Sequence, residues 1–147
     1  MTATTSSPTR HAGGCLCGAL RYEFEAPPKW VGYCHCQSCR RNTGAPVAAF
    51  VGLLRGKFRY VKGTPVRFES SPQTWRSFCG QCGSPITYES SRWADEVHVN
   101  MGTLDAPGDF APTFHVHAAE RVPWFETADS LPRYPASGAT AQPPGEG

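Results

Sequence analysis

The sequence predicts a mostly β domain with few or no helices. Apolar and polar residues alternate with a period of two in several short runs, as they do along strands that bury one face. Glycine and proline are frequent, at 15 and 14 of 147 residues, and they supply the turn signals between these runs. No window of ten or more residues repeats with the period of about 3.6 residues that an amphipathic helix shows.

The candidate strands follow one another along the chain. The first alternates apolar with charged residues over residues 20–24, and a continuous apolar run over residues 46–53 has the length of a buried strand. Further runs of strand character cover residues 58–61, 66–68, 86–88 and 97–101. Turn signals at residues 62–65 and 106–109 separate some of these runs, which is typical of a sheet built from short connections.

Both ends of the chain are predicted to be disordered tails, over residues 1–12 and 136–147. These segments carry few apolar side chains that could offset the entropy lost on ordering. The predicted domain therefore covers residues 13–135. With 39% hydrophobic residues its core is modest, and small domains of this kind are often stabilised by a metal or by covalent links.

Charge and hydropathy argue against nucleic-acid and membrane partners. The formal net charge is +2, and no basic run is longer than the pair Arg40 and Arg41. No stretch approaches the roughly 20 apolar residues that a membrane helix needs. The N-terminus lacks the apolar segment of a secretory signal, so we expect a cytoplasmic protein whose thiols stay reduced. The oligomeric state is not determined by these features.

Seven cysteines form three clusters and are the most informative residues of the chain. The clusters are Cys15 and Cys17, then Cys34, Cys36 and Cys39, then Cys79 and Cys82. A Cys-x-x-Cys turn directs two sulfurs at one ion, and zinc prefers such thiolate ligands, whereas magnesium and calcium prefer oxygen. An odd number of cysteines excludes complete disulfide pairing, and an iron–sulfur cluster is the weaker alternative. The sequence therefore predicts zinc binding, with at most a helical turn after Cys36.

The seven ligands can be divided in two ways. A closed structural zinc site takes four ligands and leaves three. In one division these are the four-cysteine set, Cys15, Cys17, Cys79 and Cys82, and the three-cysteine set, Cys34, Cys36 and Cys39. In the other division the two Cys-x-x-Cys turns form one site, and the remaining cysteines are scattered. Spacing favours the first division because its three remaining ligands are close in sequence, but on spacing alone both stay open.

Three stretches of the chain are similar to a known family. They are Gly-Gly-Cys-Leu-Cys-Gly at residues 13–18, Cys-His-Cys-Gln-Ser-Cys-Arg-Arg at 34–41 and Phe-Cys-Gly-Gln-Cys-Gly at 78–83. In this order they resemble the glutathione-dependent formaldehyde-activating enzyme family, also called the CENP-V/GFA domain, and the resemblance extends over about residues 12–134. It implies an Mss4-like β-sheet fold and the first division of the cysteines. The four-cysteine set would then hold a structural zinc and the three-cysteine set a catalytic zinc, two ions per chain.

The resemblance also implies an activity. The family's named reaction condenses formaldehyde with glutathione, reversibly, to S-hydroxymethylglutathione, and it is classed as a carbon–sulfur lyase reaction. The charge of the site agrees with this expectation, because three thiolates make zinc a weak Lewis acid for water while still favouring the thiolate form of an incoming thiol. The expected partners are a small thiol, such as glutathione, and an aldehyde, and no residue specifies either one. The alternatives are a non-catalytic zinc-binding interaction module and a zinc- or redox-sensing protein.

Residues that contact substrate are harder to predict. Arg40 and Arg41 could hold a carboxylate bidentately, and His35 could donate to a sulfur or to the substrate, with surface or packing roles as the alternative. His98 is expected to be a strand residue. His115 and His117 are two residues apart on a predicted strand, so both are expected on one face, where they are candidate neighbours of the site. The tryptophans are expected in the core: Trp30, Trp75, Trp93 and Trp124.

Overall fold

The structure of residues 9–137, a computed structural model, is built from short strands. In this part of the chain the strands are β1 (Thr9–Gly14), β2 (Arg21–Ala26), β3 (Trp30–Cys34), β4 (Ala48–Leu54), β5 (Phe58–Lys62), β6 (Val66–Ser71), β7 (Thr74–Phe78), β8 (Pro85–Ser90), β9 (Glu96–Asn100) and β10 (His115–Val116). The α-helix is α1 (Gln37–Thr43), and 3₁₀ turns cover Arg55–Lys57, Ser91–Trp93, Met101–Thr103, Pro107–Asp109 and Ala118–Glu120. The predicted mostly β class is confirmed.

The strands form two sheets. A three-stranded sheet has the order β1-β2-β5, and a seven-stranded sheet has the order β10-β3-β4-β9-β8-β7-β6. Neighbouring strands are antiparallel except for β10, which pairs with β3 in parallel. None of the helices in the described part of the chain is both long and apolar enough to cross a membrane.

The main core lies between the two sheets. Tyr22 and Phe24 of β2 are buried in the same cluster as residues from one face of the seven-stranded sheet, namely Val51, Leu53, Val97 and Val99. Because side chains alternate along a strand, the neighbours of these residues emerge on the opposite face of the large sheet. That opposite face carries the candidate site.

Both segments that were expected to be disordered include residues with a defined place in the fold. Residues 9–12 belong to β1, where Gly13 packs so closely on Tyr22 that a Cβ would lie 2.3 Å from its hydroxyl. At the other end, the backbone carbonyl of Ala136 accepts a hydrogen bond from His117 N at 3.1 Å, and Ser137 is buried. The prediction of disorder is therefore wrong for residues 9–12 and 136–137, whereas residues 1–8 and 138–147 lie outside the described residues.

Two strands that support the site carry no strong period-two signal. β3 has the sequence Trp-Val-Gly-Tyr-Cys, and β7 has Thr-Trp-Arg-Ser-Phe, in which polar side chains are buried. Sequence periodicity assumes that buried positions are apolar, so a strand that buries polar functional groups escapes it. The helical turn expected after Cys36 is the two-turn helix α1, which ends at Gly44 in the left-handed conformation.

Candidate active site

The four-cysteine set forms a compact cluster that links the two sheets. Its sulfurs all lie within 4.8 Å of one another. Cys15 and Cys17 come from the turn between β1 and β2, and the other two cysteines come from the turn between β7 and β8. The distances from the Cys17 sulfur to the Cys15 and Cys79 sulfurs are 3.7 and 3.8 Å. Four sulfurs about 2.3 Å from a central zinc in tetrahedral geometry would lie about 3.8 Å apart, so the cluster fits a zinc ion.

Backbone and hydroxyl groups are directed at these sulfurs. The amide of Leu20 donates to Cys15 Sγ at 3.2 Å, and the amides of Gln81 and Cys82 donate to Cys79 Sγ at 3.3 and 3.4 Å. A hydrogen bond with the Ser84 hydroxyl is the largest of the effects that lower the pKa of Cys82 to about 5. Such donors stabilise thiolates, the form in which cysteine binds a metal.

The three-cysteine set forms a second cluster, at the start of α1. Cys34 ends β3, Cys36 is the N-cap of the helix and accepts a hydrogen bond from Cys39 N at 3.3 Å, and the three sulfurs lie within 4.8 Å of one another. The structure thus brings together the two sets of the first division. The second division, in which the Cys36–Cys39 and Cys79–Cys82 turns share one site, does not match this geometry.

The three thiols influence one another's protonation. Hydrogen bonds from Cys34 and Cys39 lower the pKa of Cys36 to about 2. The hydrogen bond with Cys36 raises the pKa of Cys34 well above its ordinary value. For Cys39, a hydrogen bond with Cys34 acts to lower the pKa, but the bond to Cys36 and burial outweigh it and raise the pKa to about 11. A cation bound to the cluster would favour the thiolate form of all three side chains.

A buried arginine lies beside this cluster. Both terminal nitrogens of Arg76 are 3.9 Å from Cys39 Sγ, and the guanidinium lies over the ring of Tyr88 at 4.8 Å. Arg76 is only 7% exposed, so its charge acts in a medium of lower dielectric than water. It can offset the negative charge that three thiolates retain after binding a divalent cation. Sequence reasoning missed Arg76 because β7 is far from the three-cysteine set along the chain.

An open pocket begins at the three-cysteine set. It encloses about 610 Å³, counted to its open mouth. Part of its floor is formed by Trp30, His98, Tyr88 and Arg76, which lie with Gly52 in one row that is paired in register across five strands of the large sheet. The pocket is also lined by Phe50, Arg92, Trp93, Phe114 and His117. The site thus combines a metal-ligating cluster, aromatic walls and cationic groups.

Comparisons with known proteins bear on the family and the fold of the chain. The sequence model of the family described as "Glutathione-dependent formaldehyde-activating enzyme" matches residues 10–120. The chain belongs to this family. A crystal structure of a Rhodobacter sphaeroides protein has the same fold as this family member, with a TM-score of 0.56 and 20% identity over 83% of this chain and 98% of that one. A comparison with curated proteins finds no match.

In this family member, the buried carboxylate of Glu96 binds two side chains that line the pocket, Trp30 and His98. Glu96 is 3% exposed, and it accepts hydrogen bonds from His98 Nε2 at 2.8 Å, Lys29 Nζ at 2.6 Å and Trp30 Nε1 at 3.1 Å. Burial acts to raise the pKa of Glu96, but these three donors outweigh it and lower the pKa to about 2. His98 lies in β9, as predicted for a strand residue, and burial lowers its pKa, so it is the neutral donor to an ionised Glu96.

The predicted substrate residues do not line the pocket of this family member. Arg40 donates to the backbone carbonyl of His35 at 3.2 Å, and Arg41 is exposed near the end of α1. His35 is 2% exposed, and its Nε2 lies 2.8 Å from Nδ1 of His115, whose Nε2 in turn lies 3.1 Å from Asp129. Burial lowers the pKa of His35 to about 4. These placements do not support the predicted substrate contacts, and the arginines that line the pocket are Arg76 and Arg92.

The expectation that His115 and His117 share one strand face is wrong. β10 ends at Val116, and His117 adopts a left-handed conformation with φ of 54°. His115 therefore packs on His35, whereas His117 turns to the pocket and lies 3.2 Å from a Glu120 carboxylate oxygen. A non-glycine residue held in this conformation is uncommon and is found at functional sites.

The expectation that all four tryptophans pack in the core is also wrong. Trp124 is 76% exposed, and Trp30 and Trp93 line the pocket. Trp75 is partly buried, with the Arg67 guanidinium 4.6 Å from its ring centroid. Hydrophobicity predicts that a tryptophan is buried, but not whether it faces the core or a cavity.

Proposed function

We propose that this protein is a zinc-dependent carbon–sulfur lyase that reversibly forms or cleaves a thiol–aldehyde adduct. S-hydroxymethylglutathione, formed from formaldehyde and glutathione, is one such adduct, and the family description names both of these reactants. The observation that carries the proposal is that the three-cysteine set opens directly onto the pocket, which the four-cysteine set does not line. A site with an incomplete ligand set and an adjacent cavity is the arrangement expected of a catalytic zinc.

The donor chemistry supports zinc at both clusters. Each set consists of sulfur atoms close enough to bind one ion, and the sulfur separations in the four-cysteine set fit tetrahedral zinc. The four-cysteine set would hold a structural ion and the three-cysteine set a catalytic one, two per chain. A zinc ion held by the three-cysteine set would lower the pKa of a thiol bound to it and so favour the nucleophilic thiolate.

Residues of the chain supply the other requirements of the reaction. The thiol sulfur bonds to the carbonyl carbon, the π electrons of the C=O bond move to oxygen, and that oxygen takes up a proton; the reverse reaction breaks the same C–S bond. Arg76 offsets the charge of the cluster, and the pocket holds the two reactants together, which favours addition by proximity. His117 lines the pocket, so its imidazole is placed to donate the proton that the carbonyl oxygen takes up.

The proposed cellular setting is the reducing cytoplasm. All seven cysteines are free thiols, which is the form that metal binding requires. The proposed reaction requires a small thiol and an aldehyde, and we propose these as the partners rather than a macromolecule. Glutathione is a suitable thiol for the first experiments because the family description names it.

Catalysed exchange between free and thiol-bound aldehyde tests the proposal. We expect the zinc-loaded protein to accelerate exchange in mixtures of glutathione with an aldehyde, measured by NMR against a protein-free sample. Cys39→Ser is expected to abolish this acceleration and to lower the bound zinc from two ions to one while the domain stays folded. Ser38→Ala, which changes the neighbouring side chain and no ligand, is the matched control. No acceleration in the two-zinc protein would refute lyase activity and would favour a zinc or redox sensor instead.

A further inference from the structure

The pocket is walled by aromatic rings, which a one-carbon aldehyde does not require. We define the aromatic chamber as five of the rings that line it: Trp30, Phe50, Tyr88, Trp93 and Phe114. The centroids lie 5.8 Å apart for Trp30 and Phe114 and 6.4 Å apart for Phe50 and Tyr88. The ring of His98 connects these pairs, because it also contacts the rings of Trp30, Tyr88 and Trp93. Apolar walls of this extent favour a ligand that has apolar surface to bury.

Two glycines leave space for these rings. A Cβ on Gly52 would lie 2.2 Å from the Trp30 ring, and a Cβ on Gly32 would lie 2.7 Å from the Phe114 ring. The Trp30 and Phe114 rings therefore pack directly against the backbone at these two positions. The sequence of β3 and β4 thus allows the rings to form the surface of the chamber.

One ring nitrogen of Trp30 and one of His98 make hydrogen bonds to a residue outside the chamber. Trp30 Nε1 and His98 Nε2 both donate to Glu96, which does not line the pocket. Trp30 consequently presents an apolar surface to a ligand, and His98 contributes its ring edge-on to Trp30 at 4.6 Å. The chamber therefore offers contact area to an apolar group and few hydrogen bonds.

Apart from the cysteine sulfurs, the charged side chains that line the pocket are cationic. Among the described residues that line it, two are arginines and none is a carboxylate. Arg76 already faces the sulfur of Cys39, whereas Arg92 is exposed, with its guanidinium 5.3 Å from the Trp93 ring centroid and a hydrogen bond to Ser137 Oγ at 3.1 Å. Arg92 has further N–H groups with which to bind a carboxylate on a ligand in the chamber.

We infer that the carbonyl substrate is an aryl aldehyde that carries a carboxylate. This inference rests on the proposed lyase function and specifies its substrate. Glutathione carries charged groups along its length, and these are costly to bury against apolar walls, so the aldehyde is the reactant that occupies the chamber. Its ring contacts the aromatic chamber, and its carboxylate binds Arg92. The chemical step is the addition already described, in which the thiol loses one proton, the carbonyl oxygen gains one, and nothing is oxidised or reduced.

Three aldehydes separate the contributions of the ring and the carboxylate. Formaldehyde, benzaldehyde and 4-formylbenzoate are compared with glutathione and the zinc-loaded full chain by exchange NMR, each as the rate enhancement over the protein-free reaction. We expect at least a tenfold larger enhancement for benzaldehyde than for formaldehyde, and a further several-fold gain for 4-formylbenzoate. Equal enhancements for all three aldehydes would overturn the inference and leave the lyase function intact.

Two pairs of variants test the assigned residues. Trp93→Ala should remove the advantage of benzaldehyde, whereas Trp124→Ala, which changes an exposed tryptophan outside the pocket, should retain it. Arg92→Gln should remove only the additional rate enhancement of 4-formylbenzoate over benzaldehyde. Arg67→Gln is its control, because Arg67 is stacked on Trp75 in the same manner but outside the pocket. Full preference for aryl aldehydes in Trp93→Ala would overturn the inference.

A binding measurement separates the chamber from the lyase activity. Benzoate should bind the zinc-loaded protein at least tenfold more tightly than acetate by calorimetry, and Trp93→Ala should remove that difference. If no aldehyde exchanges faster with protein, the lyase function fails, and Trp93-dependent benzoate binding would still support the chamber as a site for aryl carboxylates. Equal binding of benzoate and acetate would overturn the assignment of the chamber irrespective of activity.

Discussion

Glu96→Gln should destabilise the protein by about 3 kcal/mol at neutral pH. The carboxylate is 3% exposed and accepts hydrogen bonds from His98, Lys29 and Trp30. These donors lower the pKa of Glu96 from 4.5 to about 2, and each tenfold change in an acid dissociation constant corresponds to about 1.4 kcal/mol of interaction with the ionised form. Glutamine keeps the size of the side chain but carries no charge and cannot accept from all three donors.

The pH dependence of this effect follows from the direction in which the pKa of Glu96 moves on folding. A carboxyl group whose folded pKa is depressed stabilises the protein above its unfolded pKa, and this stabilisation is lost as pH falls through the folded pKa. The difference between wild type and Glu96→Gln should therefore be constant from pH 7 to about 5. Below about pH 4.5 it should shrink by about 1.4 kcal/mol for each further drop of one in pH, because the wild-type side chain becomes protonated first in the unfolded state.

Urea unfolding at pH 7, 5 and 3.5, with equal free zinc for both proteins, measures this difference. Glu89→Gln is the matched control, since Glu89 pairs with the half-exposed Arg55, and we expect it to cost less than about 1 kcal/mol. A cost below about 1 kcal/mol for Glu96→Gln at pH 7 would refute the reasoning. A difference that stays constant down to pH 3.5 would also show that Glu96 is not the ionised acceptor of this cluster.

Three further predictions concern the metal clusters and the pocket floor. Cys79→Ser should lower the midpoint of thermal unfolding strongly and remove the structural zinc, whereas a loss of only the other ion, by metal analysis, would contradict the assignment of the four-cysteine set. Arg76→Gln should weaken zinc binding at the three-cysteine set by about 10- to 100-fold in a chelator competition, and unchanged affinity would contradict its charge-balancing role. Gly52→Ala should cost about 1–3 kcal/mol of unfolding free energy because its Cβ displaces Trp30, with a matching change in tryptophan fluorescence; unchanged emission would contradict that contact.

Much of the fold could be predicted from local patterns. The alternation over residues 20–24 and 97–101 corresponds to β2 and β9, and the apolar run over residues 46–53 corresponds to β4, because these strands bury one or both faces in the core. The strands β3 and β7 escape this reasoning because they bury polar or metal-ligating side chains on the site face. Periodicity of hydrophobic residues cannot report such strands.

Some residues of the candidate site could likewise be predicted from the local sequence, and others could not. Cys34, Cys36 and Cys39 are recognisable in the sequence because a turn of the chain is enough to bring three nearby sulfurs together. Arg40 and Arg41 are candidates because they follow these ligands in sequence, but adjacent side chains of a helix point in different directions, and neither lines the pocket. Sequence proximity is therefore a good guide to ligands in one turn and a poor guide to the walls of a pocket.

The sequence by itself determined the chemistry of the donors: seven cysteines in three clusters, with spacings that suit a thiolate-bound metal. Only the tertiary structure decided that Cys15 and Cys17 join Cys79 and Cys82, and that Arg76 faces the other cluster. It also decided which residues line the pocket. The physical reason is that the strand order β3-β4-β9-β8-β7 aligns residues distant in sequence in one row, and this pairing is set by the packing of the whole sheet.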